Sequence, residues 1–216
     1  GSGPGFDAGT STYSVTTAED TPVSGQVIAS DDDGDALSFT VGTPPANGTV
    51  SVGNDGAWTY TPDANFNGGD SFTVTVSDGQ GGSTTATVNI GVTAINDAPV
   101  ANGDAFSTTE DTAITFTASQ LLGNDSDADG TPLSIASVTS GTGGSAVLNP
   151  DGSVTFTPNA NFNGSADFSY TATDGALSSA PATVTVQVGA DNDAPELGGS
   201  GPGFDAGTST YSVTTA

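Results

Sequence analysis

Apolar residues alternate with polar ones along most of the chain, and this two-residue period restricts what it can fold into. The alternation is plain in residues 37–41, 72–76 and 182–188, which are rich in Val, Thr, Phe and Tyr. Such a period buries one face of a β-strand and leaves the other in solvent. Turn signals such as Asp78-Gly79 separate the runs, and the best helical candidate is one turn around residues 119–122. The pattern predicts an all-β protein made of Greek-key β-sandwiches.

The two halves of the chain repeat each other. Residues 61–68 (TPDANFNG) return as residues 157–164 (TPNANFNG), 96 residues later. Glu19-Asp20-Thr21 returns after only 91 residues, so the second copy carries five extra residues, which we place at 120–124. We therefore predict two tandem immunoglobulin-like domains, at residues 12–97 and 100–193.

A longer repeat joins the two ends of the sequence. Residues 1–18 recur without change as residues 199–216, a period of 198 residues. We assign residues 1–11 and 194–210 to linkers and residues 211–216 to the first strand of a further repeat. The chain then covers one period of a tandem array and overlaps the next. Alternatively, the last strand completes the first domain of another molecule, as in donor-strand polymers. Both interpretations predict a head-to-tail filament.

The charge of the chain excludes several classes of function. The sequence has no Lys, Arg, His, Cys or Met, and its net charge is -25. Nothing can neutralise phosphate, so nucleic acid is excluded as a partner. No apolar run approaches the roughly 20 residues that span a bilayer, so we expect no direct membrane insertion. No His, Lys, Cys or Arg is present to act as a base, a nucleophile or an oxyanion clamp, and only carboxylate pairs remain for catalysis, so we expect no enzyme. The chain begins without a signal peptide, and we expect it to be an interior piece of a longer protein.

Acidic residues cluster in patterns that suit calcium. Asp31, Asp33 and Asp35 alternate, which in extended backbone points them to one side, and residues 125–129 repeat the spacing. Carboxylates a few ångströms apart repel by about 1 kcal/mol each even in water. A calcium ion takes six to eight oxygen ligands, and its positive charge makes the net interaction energy of such a cluster favourable. The alternative is a solvated acidic loop. Zinc is disfavoured because His and Cys are absent.

These acids stand among motifs of a known family. Residues 19–23 (EDTPV), 27–34 (VIASDDDG) and 96–99 (NDAP) resemble the cadherin-like family. Residues 121–127 (LLGNDSD) look like its bacterial branch, found in tandem in large surface adhesins of the RTX and biofilm type. The resemblance covers nearly the whole chain and implies calcium at domain junctions.

The resemblance also implies the ligands. With Asp35 from the alternating run and Asp191 beside the linker motif, the candidate metal ligands are Glu19, Asp31, Asp33, Asp35, Asp78, Asn96, Asp97, Glu110, Asp127, Asp129, Asp174, Asp191, Asn192 and Asp193. Two departures reduce the set. The first Asp of the family's linker is Ala94 or Ala190 here, and residues 65–68 (NFNG) replace an acidic mid-domain motif. We therefore expect one or two ions per junction rather than three.

The favoured function is a calcium-stiffened spacer in an extracellular filament or a long cell-surface adhesin. One alternative is a fibril subunit that self-assembles head to tail by strand complementation. Another is a carbohydrate- or protein-binding adhesion module with surface glycans as possible ligands. The aromatic residues fall on alternating strand positions and are expected in the core, which leaves no aromatic platform for sugars. The expected partners are further copies of the same repeat.

Overall fold

The computed structural model describes residues 5–7, 11–192, 204–205 and 210–211, with side chains described over 11–192. The strands of the first half are β1 Gly5–Asp7, β2 Thr12–Ala18, β3 Val23–Gln26, β4 Ser38–Val41, β5 Gly48–Val52, β6 Ala57–Pro62, β7 Gly68–Ser77 and β8 Ser83–Thr93. The elements of the second half are β9 Asp104–Thr109, β10 Ile114–Phe116, α1 Ala118–Leu121, β11 Ser134–Ser140, β12 Gly144–Leu148, β13 Val154–Pro158, β14 Gly164–Thr173, β15 Ala182–Gly189, β16 Phe204–Asp205 and β17 Thr210–Tyr211.

The chain divides into two compact units. The first comprises Gly1–Pro99 together with Ser126–Leu133 and Thr173–Ser178. The second comprises Val100–Asp125, Ser134–Ala172 and Ser179–Ala216. Two loops from the later half of the sequence therefore belong to the first unit.

Strands β1 to β8 form a β-sandwich. One sheet has the order β1-β2-β8-β7-β4 and the other has the order β3-β6-β5. All pairs in these sheets are antiparallel except β2 and β8, which run parallel from Thr12↔Thr87 to Ala18↔Thr93. Strand β1 lies within the segment 1–11 that the sequence predicts as a linker, where it pairs with β2.

Strands β9 to β15 repeat that architecture. The sheets have the orders β11-β14-β15-β9 and β10-β13-β12, and β9 again pairs with β15 in parallel. The predicted all-β fold of two tandem sandwiches is thus confirmed. Strands β16 and β17 form a separate two-stranded sheet. The remainder of the predicted last strand, residues 212–216, lies outside the described residues.

Most of the alternating residues fill the sandwich cores as predicted, although Val41 at the end of the run 37–41 is exposed. In β7 and β8, Phe72, Val74, Val76, Val88 and Ile90 are all buried. The side chain of Trp58 packs edge-on against Phe72, with ring centroids 5.3 Å apart. In the second unit, Phe168 stacks with Phe116 and with Phe156 at centroid distances of 6.0 Å. Burial of such aromatic side chains is the main stabilising term for a β-sandwich.

The predicted helical turn is present, and it overlaps the extra residues of the second copy. Helix α1, Ala118–Leu121, lies at the predicted helical turn and at the start of the predicted insertion. The side-chain oxygen of Gln120 accepts a hydrogen bond from the backbone N–H of Thr117 at 3.0 Å, which closes the first turn. Leu121 is fully buried and anchors the helix to the core.

A tyrosine–aspartate pair ties a loop to each core. In the first unit, the Tyr60 hydroxyl donates to the carboxylate of Asp70 at 2.9 Å, and the Asp70 oxygens also accept the N–H groups of Ala46, Asn47 and Ser71. Burial disfavours the charged form of Asp70, but these hydrogen bonds outweigh it and lower its pKa. Burial of the Tyr60 hydroxyl raises the pKa of Tyr60, and the hydrogen bond and negative charge of Asp70 raise it further.

A second repeated contact uses left-handed backbone. Asp20 and Asn65 have φ of 56° and 57°, and the equivalent Asp111 and Asn161 have φ of 56° and 54°. In each unit the aspartate carboxylate accepts the N–H of the asparagine at 3.1 Å. Asp and Asn tolerate this conformation better than other side chains. The contact fastens the loop after β2 or β9 to the Asn-Phe-Asn-Gly loop.

Replacement of Asn65 should separate backbone strain from side-chain loss. We expect Asn65→Ala to lower the free energy of unfolding by about 1–2 kcal/mol, because Ala is strained at positive φ. Asn65→Gly should cost less than about 1 kcal/mol, because Gly adopts positive φ freely. Urea unfolding followed by Trp58 fluorescence measures both. Equal losses for the two variants would contradict the strain argument.

The hydrogen bonds of Asp70 predict a pH dependence. Because its pKa is lowered on folding, Asp70 stabilises the protein above the usual Asp range near pH 4 and loses that effect as the pH falls through the folded value. Asp70→Asn should destabilise by about 1–3 kcal/mol at pH 7, since its NH2 group would face backbone donors. The gap to the wild type should narrow below pH about 4. The exposed Asp63→Asn removes the same charge and serves as the control; an equal loss there would contradict the prediction.

Candidate metal centre

Strand register sorts the predicted ligands into groups at different ends of the strands. Strands β2 and β8 finish side by side at Ala18 and Thr93, so Glu19 and the segment 95–97 follow the same end of the sheet. Strand β7 finishes at the other end, where Ser77 pairs with both Ser38 and Ser83. The acidic loop 31–35 and Asp78 therefore lie away from Glu19. The structure does not bring the first domain's candidate ligands into one site.

The loop at 31–35 is built around one carboxylate. Oδ1 of Asp31 accepts the backbone N–H of Asp33 at 3.0 Å and that of Asp35 at 3.2 Å. Nearby, Oδ1 of Asp78 accepts the N–H groups of residues 80–82 at 2.7–3.1 Å. Asp31 and Asp78 line one cavity of about 200 Å³. Backbone donors thus hold both carboxylates in place.

The equivalent loops of the later half fold in the same way. Oδ1 of Asp127 accepts the N–H of Asp129 at 3.0 Å and that of Thr131 at 3.1 Å. Oδ1 of Asp174 accepts the N–H groups of residues 176 and 177 at 2.6 and 2.7 Å. These are the two loops that belong to the first unit. The 96-residue sequence repeat is therefore also a repeat of loop geometry.

Within the first unit, these loops meet the Asn96-Asp97 motif. The backbone N–H of Asp97 donates to Oδ2 of Asp129 at 2.8 Å. The side-chain amide of Asn96 donates to Oδ2 of Asp174 at 2.6 Å. Four predicted ligands from distant parts of the sequence are thus in direct contact.

Glu19 lies close to the same segment and is almost completely buried, with 3% of its surface exposed. Its Oε1 accepts the backbone N–H of Ile95, and its Oε2 accepts the side-chain amide of Asn67 at 3.5 Å. Asn67 belongs to the Asn-Phe-Asn-Gly motif that replaces an acidic motif of animal cadherins. An amide therefore stands beside Glu19, and the local negative charge is lower than it would be with a carboxylate there.

Electrostatic repulsion is concentrated on Asp97. Burial raises the pKa of Asp97, and the negative charges of Asp129, Asp20, Glu19 and Asp127 raise it further. The pKa of Asp174 is instead lowered, first by the Asn96 amide and then by the backbone donors of its own loop. The acids around Asp97 therefore favour either a proton or a cation.

Two oxygens in this region have no partner. Oδ2 of Asp97 and Oδ2 of Asp127 are buried and accept no hydrogen bond. A buried carboxylate oxygen without a donor is costly, and the chain has no cationic side chain to supply one. A hard divalent cation takes such oxygens as ligands. The donor chemistry fits calcium, although no group of three or more acidic side chains among the described residues is arranged to hold a metal ion.

The remaining candidates lie in the second unit. Glu110 is 5% exposed, and its carboxylate accepts the N–H of Asp191 at 2.6 Å and the amide of Asn163 at 3.4 Å. Oδ1 of Asp191 accepts the N–H of Asn192 at 2.9 Å. This arrangement repeats the environment of Glu19. Asp193 lies outside the described residues.

The structure separates Asp125 from its neighbours in the acidic run. Its carboxylate accepts the hydroxyl of Tyr170 at 2.9 Å, in the second unit, whereas Asp127 lies in the first. Burial, with the charge of Asp125, raises the pKa of Asp104 beside it.

Two amides close to the candidate ligands were not identified from the sequence. Asn67 lies beside Glu19 and Asn163 lies beside Glu110. Both belong to the repeated Asn-Phe-Asn-Gly motif, and that repetition was the signal that could have identified them.

Within the part of the chain that the structure describes, no helix is long and apolar enough to cross a membrane. No curated protein matches the sequence.

Comparison with solved structures finds cadherin repeats. Mouse cadherin-23 (EC22-24) is 19% identical, with a TM-score of 0.51, over 88% of this chain and 65% of that one. Human mucin-like protocadherin (EC1-2) is 19% identical, with a TM-score of 0.43, over 87% and 98%. An endo-fucoidan hydrolase of glycoside hydrolase family 107 is 22% identical, with a TM-score of 0.36, over 88% of this chain and 31% of that one. The chain thus spans about a third of the hydrolase. At these identities the likeness to cadherin-23 shows the fold alone.

Family models match both halves of the chain. Residues 7–91 match a bacterial Ig domain, and residues 95–189 match a cadherin-like domain. Such domains are typically extracellular or on the cell surface, and they are typically not enzymes. Cadherin-like domains typically bind calcium. Residues 7–91 are therefore similar to bacterial immunoglobulin-like domains, and residues 95–189 are similar to cadherin-like domains.

Proposed function

We propose that the chain is a structural repeat unit of an extracellular filament or a long cell-surface adhesin, stiffened by calcium. The observation that carries the proposal is the meeting of Asp97 with Asp129. There, one backbone N–H satisfies one carboxylate oxygen, while Oδ2 of Asp97 and Oδ2 of Asp127 stay buried without a donor. A calcium ion is the partner that this oxygen-rich, cation-free environment lacks.

The residues that would hold calcium are those of the first unit around Asp97. They are Glu19, Asn96, Asp97, Asp127, Asp129 and Asp174. The ion would fasten loops 126–133 and 173–178, from the later half of the sequence, to the segment that follows β8. Such a cross-link removes freedom from the chain between them, which is what a stiff spacer requires. Glu110, Asp191, Asn192 and Asp193 would form the corresponding half of a further site.

The array would be repetitive along its length. The 96-residue repeat of loops and the identical segments 1–18 and 199–216 both favour further copies of the same repeat as partners. We propose that the chain is located outside the cell, and we propose no catalytic role for it. Side chains of the type needed for general base or nucleophilic catalysis are limited to carboxylates and hydroxyls.

A role in binding glycans has less support. Sugar-binding modules expose aromatic rings, but the large apolar side chains exposed between residues 11 and 192 are aliphatic: Ile28, Val41, Ile95, Val100, Val147 and Leu177. The single Trp is buried. Binding on a glycan array would reverse this preference.

Calcium should stabilise the first unit. Extracellular sites bind with Kd of about 0.1–1 mM, so 10 mM calcium should add about 1–3 kcal/mol relative to chelator. The expected rise in Tm is roughly 4–8 °C for each kcal/mol. Thermal unfolding monitored by Trp58 fluorescence measures it, because Trp58 is buried in the first sandwich. Magnesium at equal ionic strength is the control, since any divalent cation screens a charge of -25. A Tm unaffected by chelator, or an equal rise with magnesium, would contradict the proposal.

Removal of one unpaired carboxylate should distinguish a specific site from general screening. Asp97→Asn should lose most of the calcium-dependent rise in Tm. In chelator it should be at least as stable as the wild type, because the raised pKa shows that the folded protein disfavours this charge. Asp32→Asn removes the same charge from an exposed position outside the candidate set and should keep the full calcium response. Equal responses of the two variants would sink the assignment of Asp97 as a ligand.

A further inference from the structure

Strand β2 is an integral part of the first sandwich. Strand β2 pairs with β8 in parallel over its seven residues and with β1 on its other side, where Phe6 pairs with Tyr13. Tyr13 is only 6% exposed, and its hydroxyl accepts the backbone N–H of Ile28 at 3.1 Å. Strand β2 therefore closes the core at the edge of β8.

The described residues of the C-terminal copy pair in the same register. Phe204 pairs with Tyr211 and Asp205 pairs with Thr210. Each pair is the N-terminal pair Phe6↔Tyr13 or Asp7↔Thr12 moved by 198 residues. Identical sequence thus gives identical register at both ends. Among the described strands, however, β16 and β17 form a two-stranded sheet without a counterpart of β8.

We propose that residues 199–216 of one copy of this chain replace residues 1–18 on β8 of a second copy, so that copies join head to tail. The interface is already present once in the structure, as the pairing of β2 with β8. The sequences of donor and resident strand are the same over 18 residues, so the donor can form the same ladder hydrogen bonds and the same core packing as the strand that it displaces. This inference goes beyond the spacer function and does not depend on calcium.

Competition with the resident hairpin determines when exchange occurs. Residues 1–18 are tethered to their own β8, which gives them an effective concentration in the millimolar range. Exchange between wild-type copies therefore needs protein at about that concentration. A resident strand that lacks the Tyr13 ring should lower the required concentration by roughly 100-fold or more, because a buried aromatic side chain is missing from one competitor only.

Disulfide trapping tests the proposal in a chain that has no other cysteine. Ser14 and Asn89 are exposed and directly paired, so Ser14→Cys with Asn89→Cys should form a cross-link within one chain and serve as the control. Ser212 is the copy of Ser14. Ser212→Cys with Asn89→Cys should give, under oxidation, a ladder of covalent multimers on a non-reducing gel, which strengthens with protein concentration and collapses on reduction.

The same cysteine pair in a Tyr13→Ala background should form the ladder at the lower concentration. If that variant fails to fold, the wild-type background at about 1 mM still decides the question. The absence of a ladder in the wild-type background at that concentration overturns the proposal. A cross-linked monomer also overturns it, because residue 212 would then reach β8 of its own chain.

Discussion

Twenty-five carboxylates and no cationic side chain leave the backbone as the main source of positive charge density in this protein. In the repeated acidic loops, one oxygen of Asp31, Asp78, Asp127 or Asp174 accepts two or three N–H groups. These bonds shape the loops and stabilise the charges at once. Around Asp97, burial and the neighbouring carboxylates raise its pKa, and Oδ2 of Asp97 and Oδ2 of Asp127 accept no hydrogen bond. The candidate calcium site is therefore a place where the chain's own hydrogen-bond donors do not suffice, as they also do not at Oδ2 of Asp104 in the second unit.

The repeat also shows how one motif acquires two environments. The loops of Asp31 and Asp127 have the same internal hydrogen bonds. Only the second meets an Asn-Asp segment, because that segment follows β8 and has no counterpart beside Asp31 in the described chain. Among the described residues, the carboxylates at 31–35 therefore have no contact like that of Asp129 with Asp97. Glu19 and Glu110 are a second such pair. Both are buried and accept equivalent hydrogen bonds, but the segment beside Glu19 also contacts Asp129 and Asp174.

Much of the fold could be predicted because it depends on local rules. Alternation fixes which face of a strand is buried, and the difference between the 96- and 91-residue spacings predicts an insertion at 120–124, which overlaps the end of α1. The grouping of the acids could not be predicted in this way. Asp125 and Asp127 are two residues apart, yet one accepts the Tyr170 hydroxyl in the second unit and the other lies in a loop that belongs to the first unit. The different surroundings of these two carboxylates depend on the position of the Tyr170 hydroxyl in the core and on the register of strands far apart in the sequence. The spacing between acidic residues carries no information on either.

The parallel pairing of β2 with β8, and of β9 with β15, has a mechanical consequence. A tensile force that enters at Thr12 and leaves beyond Thr93 pulls β2 and β8 in opposite directions along their common axis. The ladder from Thr12↔Thr87 to Ala18↔Thr93 is then loaded in shear, so its bonds must break together rather than unzip in turn. Strands β9 and β15 are loaded in the same way from Asp104↔Val184 to Thr109↔Gly189. The topology resists stretching before either core is exposed.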